Sequence, residues 1–309
     1  MRNIFSLSKR NCLLFLRSKQ VVFSSLLSSI ILIALYFLFI ANLYSQGFNE
    51  MMGLTLSQNQ INAAIYMQMI MGVLVINSVS LSTGMFTFMA RDFETHKTQA
   101  FLLTNAKPIE ITLSYLFSAL VVSFLLNILT FTISMILIGA ITGVWLSAMA
   151  FISIFLVLVI TTIIGCAVML LITSIVRSSV AIGVISGFVG TILGFLCGIY
   201  MPYSNMGKGA MYVGSFLPFT HLTVWLKQIA LGDIFSQFGL SKEVSKTVQE
   251  QAFSAINVGL CGAEIPLWVM IILSVAVAVV CFVISIFLIK RQFSNKSFHR
   301  FKQKKLNKN

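Results

Sequence analysis

In this chain of 309 residues, hydrophobic types make up 58%, Asp, Glu, Lys and Arg together only 9%, and mean hydropathy is +0.96. That excludes an ordinary soluble domain, where charged residues are about a quarter of the total. The formal charge of +13 would suit a nucleic-acid surface, but its placement along the chain reads as membrane topology, and no nucleic-acid partner is expected.

The first 20 residues, MRNIFSLSKRNCLLFLRSKQ, are basic and mixed in polarity. On a helical wheel Arg10 and Arg17 share a face, with Ile4, Leu7, Leu14 and Phe15 broadly opposite, as in a helix lying in the membrane interface. Residues 21–43 begin a series of six apolar runs, each long enough for the roughly 20 residues that a bilayer core requires. The first run is too long for a cleavable signal peptide and lacks a small-residue cleavage pattern, so it is expected to stay as a span.

The second run covers 64–90. Within it Asn77, Ser80, Gly84 and Thr87 fall at i, i+3, i+7 and i+10, one helical face. The third, 111–138, repeats the device with Ser123, Asn127, Thr130 and Ser134. Such faces serve either helix packing or the lining of a translocation path, and spacing alone leaves both open. Between the two runs lies a charged loop, 91–110, which begins RDFETHKTQAFLLTNAKP. Asp92 is suited to cap a short helix and Glu94 to its first turn, while Phe93, Lys97, Phe101 and Thr104 recur near one face. Pro108 with Glu110 suits the first turn of the next span. Exposed phenylalanine on a bare loop is a liability unless it docks in a groove or dips into lipid.

The fourth run spans 148–176 and the fifth 179–200. The fifth carries Gly183, Gly187, Gly190, Gly194 and Gly198 at intervals of four, three, four and four, a small-residue stripe whose default meaning is close helix packing. A longer polar segment, 201–265, precedes the sixth run, 266–289, and the chain ends in the basic tail KRQFSNKSFHRFKQKKLNKN. Residues 1–20, 91–110, Arg177 and the tail hold 17 of the 21 Lys and Arg (five, three, one and eight), against four in 201–265. Both termini are therefore expected in the cytoplasm, with the tail on anionic lipid headgroups.

The six runs contain no Asp, Glu, Lys, Arg or His, which weighs against an ion-coupled transporter or an intramembrane protease. Five scattered cysteines and three scattered histidines show no metal-ligand spacing, and the nucleotide-binding pattern GxxxxGK[ST] is absent. No catalytic, cofactor or metal site is expected in the chain. The expected fold is a single all-α membrane domain over 1–309: six transmembrane helices, an interfacial N-terminal helix and cytoplasmic termini.

This order of elements resembles the permease subunits of type-2 ABC exporters. RDFETHKTQAFLLTNAKPIEI is similar to the family's cytoplasmic loop, with Asp92 and Glu94 at its acidic positions, Phe101, Leu102 and Leu103 in its apolar turn and Pro108 at its step into the next span. LPFTHLTVWLKQIALGD is similar to its passage before the last span, matched by Pro218, Lys227 and Gly232. Lys227 stands where the family often has Arg, and Thr95, His96 and Lys97 replace a more usual glycine-containing stretch.

The resemblance implies an exporter permease in a bacterial plasma membrane, paired with a second copy or a similar permease. Two ATP-binding subunits, carrying ATP and magnesium, would grip the 91–110 loop as a coupling helix. It also implies that 201–265 partly re-enters the membrane. A non-transporting scaffold or sensor, or a membrane-embedded enzyme, is the alternative.

Overall fold

A computed structural model of the chain describes residues 2–35, 56–95, 97–98, 107–176, 178–200, 207–251 and 266–306. Phe101, Leu102, Leu103 and Cys261 lie outside the described residues, as does the end of the first expected span, 36–43. Among the described residues the elements are all helical: α1 (Arg2–Arg17), α2 (Lys19–Leu35), α3 (Gln58–Glu94), α4 (Pro108–Thr142), α5 (Ala148–Val176), α6 (Ser179–Leu196), α7 (Lys208–Ser215), α8 (Pro218–Gln237), α9 (Lys242–Gln251) and α10 (Leu267–Leu306). Among the described residues, five stretches are long and apolar enough to cross a membrane: α3, α4, α5, α6 and, within α10, Trp268–Arg291. Of the first expected span, 21–43, α2 supplies residues 21–35.

The centre of the bundle is α3. Ser57 starts it with a reciprocal cap: its hydroxyl accepts from the Gln60 amide, and its own amide donates to Gln60 Oε1. Every residue from Met67 to Val79 is buried, the condition of a helix surrounded by others. Its neighbours are α2, α4, α5, α6 and α8. At 37 residues it is about 55 Å long, well beyond a bilayer core of roughly 30 Å. This corrects the expected boundary at Ala90. Asp92 and Glu94 occupy the last turn of α3 and do not open a new helix, because no Gly or Pro falls between Met85 and Glu94 and both carboxylates find partners there.

A membrane pattern governs the outer helices. On α4, Phe117, Leu125, Leu129, Ile133 and Ile136 are exposed, while Ser114, Ser118, Ser123, Asn127, Thr130 and Ser134 are buried. The apolar face is left for lipid and the small polar face turns inward. Hydroxyls within the spans mostly satisfy themselves on their own helix, as in Thr130 to Leu126 O, Thr161 to Val157 O and Ser274 to Met270 O. Helix α4 has Pro108 at its first position and Gly143, at φ +73°, just past its end, where a left-handed residue closes the last turn.

The same inversion corrects the expected faces of α1. Phe5, Leu13 and Leu16 point outward, but Phe15 is fully buried and Arg10 reaches Asp92. Ser8 faces α4, donating to Ser114 O and accepting from Ser118. Within the segment 201–265, the described helix α8 is packed into the bundle. In α8, Phe219, Leu222, Leu226, Ala230, Leu231 and Phe235 are buried against α3, α5 and α10. The basic tail continues α10 as helix to Leu306.

Two carboxylates tie opposite ends of the bundle. At one end Glu94 accepts from the Ser179 amide at 2.8 Å and its hydroxyl at 2.9 Å, capping α6. At the other, Asp233 of α8 accepts from the Ser147 amide and hydroxyl, just before α5, and Gln237 donates to Trp145 O. The ends of α3 and starts of α4 and α6 therefore share one side with α1, and the start of α5 shares the other with α8.

Among the described glycines, the closest approach to another helix's backbone is made outside the glycine stripe. A side-chain carbon on Gly165 of α5 would lie 2.6 Å from the Ser78 carbonyl oxygen of α3, so any larger residue must push the two helices apart. Gly165→Val is expected to destabilise the detergent-solubilised protein by about 1–3 kcal/mol, the usual range for overpacking, whereas Gly183→Ala, which meets nothing within 4 Å, should leave the thermal midpoint nearly unchanged. Equal midpoints for the two variants would contradict this packing.

Candidate functional site

Between α2, α3 and α6 runs a groove of about 600 Å³. Its α3 wall presents Ile76, Ser80, Thr83, Gly84 and Thr87, and its α6 wall Gly183, Ser186, Gly187, Gly190 and Thr191, with Val21, Ser25 and Ile31 from α2 and Tyr200 at one end. From Ile76 to Thr87 the α3 wall extends about 17 Å along the helix axis.

Helices α3 and α6 pack directly on each other, and the groove lies beside that contact where glycine leaves space. Thr83 and Ser186 share a hydrogen bond of 2.7 Å, and the site of a side-chain carbon on Gly190 lies 3.7 Å from Ile76 and Ser80. Gly183 and Gly187 face open space, so within this chain they widen the groove. Gly194 lies under the Tyr200 ring. Gly198, at φ +63°, follows the α6 cap and gives its carbonyl to Lys227 Nζ at 2.9 Å. The glycine stripe thus divides into a cleft-forming half and a half that packs or turns the chain.

The two expected polar faces also divide. Ser80 and Thr87 lie on the groove, whereas Asn77 is buried in α3. Ser123, Asn127 and Thr130 are buried inside the bundle. Asn127 Nδ2 donates to Leu74 O of α3 at 3.1 Å, and Ser123 lies against Cys166 of α5. The wheel places residues on a face correctly, but it cannot say whether a cleft or a neighbouring helix stands opposite.

One end of the groove is held by a polar cluster. Asp92 is 7% exposed; it accepts from the Tyr115 hydroxyl of α4 and pairs with Arg10 of α1 at 3.3 Å. Two residues on, Glu94 caps α6, and residues 95–107 of the expected loop follow it in the chain. Pro108, at the far end of that loop, begins α4. Of the five expected coupling residues, Asp92, Glu94 and Pro108 are thus gathered around the ends of α3, α4 and α6.

Sequence reading missed Tyr115, Ser179 and Ser186 in this arrangement, and it missed the full burial of Lys227. Ser179 had a legible signal: the Ser-Ser pair before an apolar run is an N-cap pattern. Tyr115 and Ser186 carry no such mark, since only tertiary packing sets what they face.

A profile of the ABC-2 type transporter family matches residues 2–231. The match runs from α1 through most of α8, and so includes both walls of the groove and the cluster around Asp92 and Glu94. No curated protein matches the chain significantly. A bundle of apolar helices with its polar faces turned inward, matched over well over half its length, identifies the chain as a member of the ABC-2 type transporter family, a membrane-spanning permease component.

Proposed function

We propose that this permease belongs to an ATP-driven exporter in a bacterial plasma membrane, and that the groove between α2, α3 and α6 is its share of the translocation path. The family implies an ABC ATP-binding subunit as partner. Two such subunits, carrying ATP and magnesium, would act on two permeases, either two copies of this chain or this chain with a homologue, set in membrane lipid.

The observation that carries this reading is the bond between Glu94 and Ser179. It fastens the start of one groove wall to the end of the other at the point where the 95–107 loop departs. A displacement of that loop acts on both walls together, and the Asp92 cluster extends the connection to α1 and α4. A coupling loop requires such an attachment: a small rigid shift delivered at one end must re-aim packed helices, which move between discrete arrangements. Exposed apolar residues on α6, Val184, Phe188, Ile192 and Phe195, supply a surface for lipid or a second permease. A scaffold or sensor would not need a cleft joined to the loop in this way.

The proposed orientation puts the Glu94 end in the cytoplasm, in keeping with the Lys and Arg distribution. With single cysteines in a cysteine-free background, Ser57→Cys and Ser241→Cys should react with an impermeant thiol reagent on intact cells, and Ser297→Cys should react only after permeabilisation. The reverse pattern would overturn the orientation.

The two parts of the coupling region should fail differently. Phe101→Ala is expected to weaken capture of the ATP-binding subunit by about tenfold or more, the usual scale for an aromatic anchor. Glu94→Ala should leave capture intact and instead reduce transport per ATP hydrolysed, since it releases α6 from α3. Co-purification and paired measurements of hydrolysis and transport separate the two effects. If both variants bind and transport at the parental rate, the loop is not the coupling element.

A further inference from the structure

The lining of the groove specifies a chemistry for its occupant, on the premise that the groove is the cargo path. Among the described residues its walls carry no Asp, Glu, Lys, Arg or His. Its polar groups are hydroxyls, and most of their protons are already used inward. Thr83 donates to Val79 O at 3.0 Å, Thr87 to Thr83 O at 2.8 Å and Thr191 to Gly187 O at 2.9 Å. Thr83 and Ser186 also share a hydrogen bond of 2.7 Å in which either hydroxyl can be the donor, so both are engaged with each other. A hydroxyl has one proton and two lone pairs, so Thr87 and Thr191 face the groove as acceptors. Ser80 is half-buried on the same stripe of α3 and bonds to no described residue.

The opposite wall is poorer in polar groups: Val21 and Ile31 of α2 flank Ser25, whose hydroxyl donates to its own helix at Val21 O. The groove is therefore uneven across its width: a hydroxyl-rich stripe of α3 on one side, a mainly apolar α2 side with the single hydroxyl of Ser25, Tyr200 at one end, and space above Gly183 and Gly187. An anionic head group placed there would lose its hydration with no cation to replace it, a heavy cost in a low-dielectric site. A molecule without hydrogen-bond donors would leave Ser80 and the threonine lone pairs facing hydrocarbon.

We propose that the groove takes an uncharged amphiphile whose polar group carries hydroxyl or amide donors, and discriminates against phosphate-bearing amphiphiles of the same chain length. The volume of about 600 Å³ lies within the range that encloses a drug-sized molecule. The α3 stripe from Ser80 to Thr87, about 10 Å long, meets donors spread over a glycerol- or sugar-sized group.

The test uses the full-length chain in phosphatidylcholine nanodiscs and a monopalmitoylglycerol analogue with a diazirine in its acyl chain. Crosslinks should map to residues 76–87 and 183–191. Unlabelled monopalmitoylglycerol should compete at concentrations about tenfold lower than either its phosphate ester or methyl palmitate, the scale of one or two hydrogen bonds. The double variant Ser80→Ala, Thr87→Val should reduce the preference over methyl palmitate towards unity. Gly187→Leu fills open space, so it should abolish crosslinking while helicity and elution volume stay unchanged. The proposal is overturned if the phosphate ester competes equally, if Gly187→Leu labels like the parent, or if Gly187→Leu instead alters the oligomeric state, which would make the groove the seat of a second copy. Hydrolysis by the assembled complex is measured separately. Selective labelling without effect on hydrolysis or transport would refute the export reading and leave the groove's chemistry standing. Coupled transport with unselective labelling would do the reverse.

Discussion

One helix buried on all sides sets the terms for the rest of the protein. With α3 enclosed from Met67 to Val79, its neighbours must supply every contact that lipid would otherwise make, and they approach as closely as their side chains allow. Gly165 permits contact with the α3 backbone itself, and Gly84 admits the ring of Phe15 from α1. In lipid no hydrophobic force drives helices together, so close van der Waals fit and a few polar bonds must hold them. The bundle spends its small residues where they shorten those distances.

Polar groups then decide which contacts are fixed and which stay open. Inside the spans, hydroxyls bonded to their own helix leave the neighbouring helix free to slide. Bonds between helices are fewer and more specific: Asn127 to the Leu74 carbonyl, Thr83 to Ser186, Glu94 to Ser179, Asp233 to Ser147. The two carboxylates sit at opposite ends and cap spans, where partial positive charge at a helix start favours them. A wall pinned at its end and bonded once near its middle is free to open between those points. The α3 and α6 walls of the groove have that construction.

Much of the candidate site was legible before the fold was known, and the reasons are local. Asn77, Ser80, Gly84 and Thr87 stand out because apolar residues surround them at helical spacing, and two of the three polar ones do line the groove. The acidic residues of the 91–110 loop stand out because charge is rare here. What failed was assignment of partners. Asp92 was expected to cap a helix that follows it; it serves instead as the shared acceptor of Arg10 and Tyr115, 82 and 23 residues away. Ser123, Asn127 and Thr130 have the same composition as the α3 face and a different neighbour. Gly165 went unremarked beside a conspicuous stripe in α6, yet it makes the closer approach to another helix's backbone.

By itself the sequence determined that the chain is a membrane protein, roughly where its apolar helices run, which residues are too polar to face lipid, and the family it resembles. These follow from hydrophobic length and helical period, which act along the chain and need no knowledge of other segments. Tertiary structure alone decided that α3 is central, that half the glycine stripe opens a cleft while the rest packs or turns the chain, and that Glu94 joins the walls of the groove. Each depends on which helix stands opposite a given face, and that is settled by complementary packing among segments far apart in sequence, a property no periodicity within one segment records.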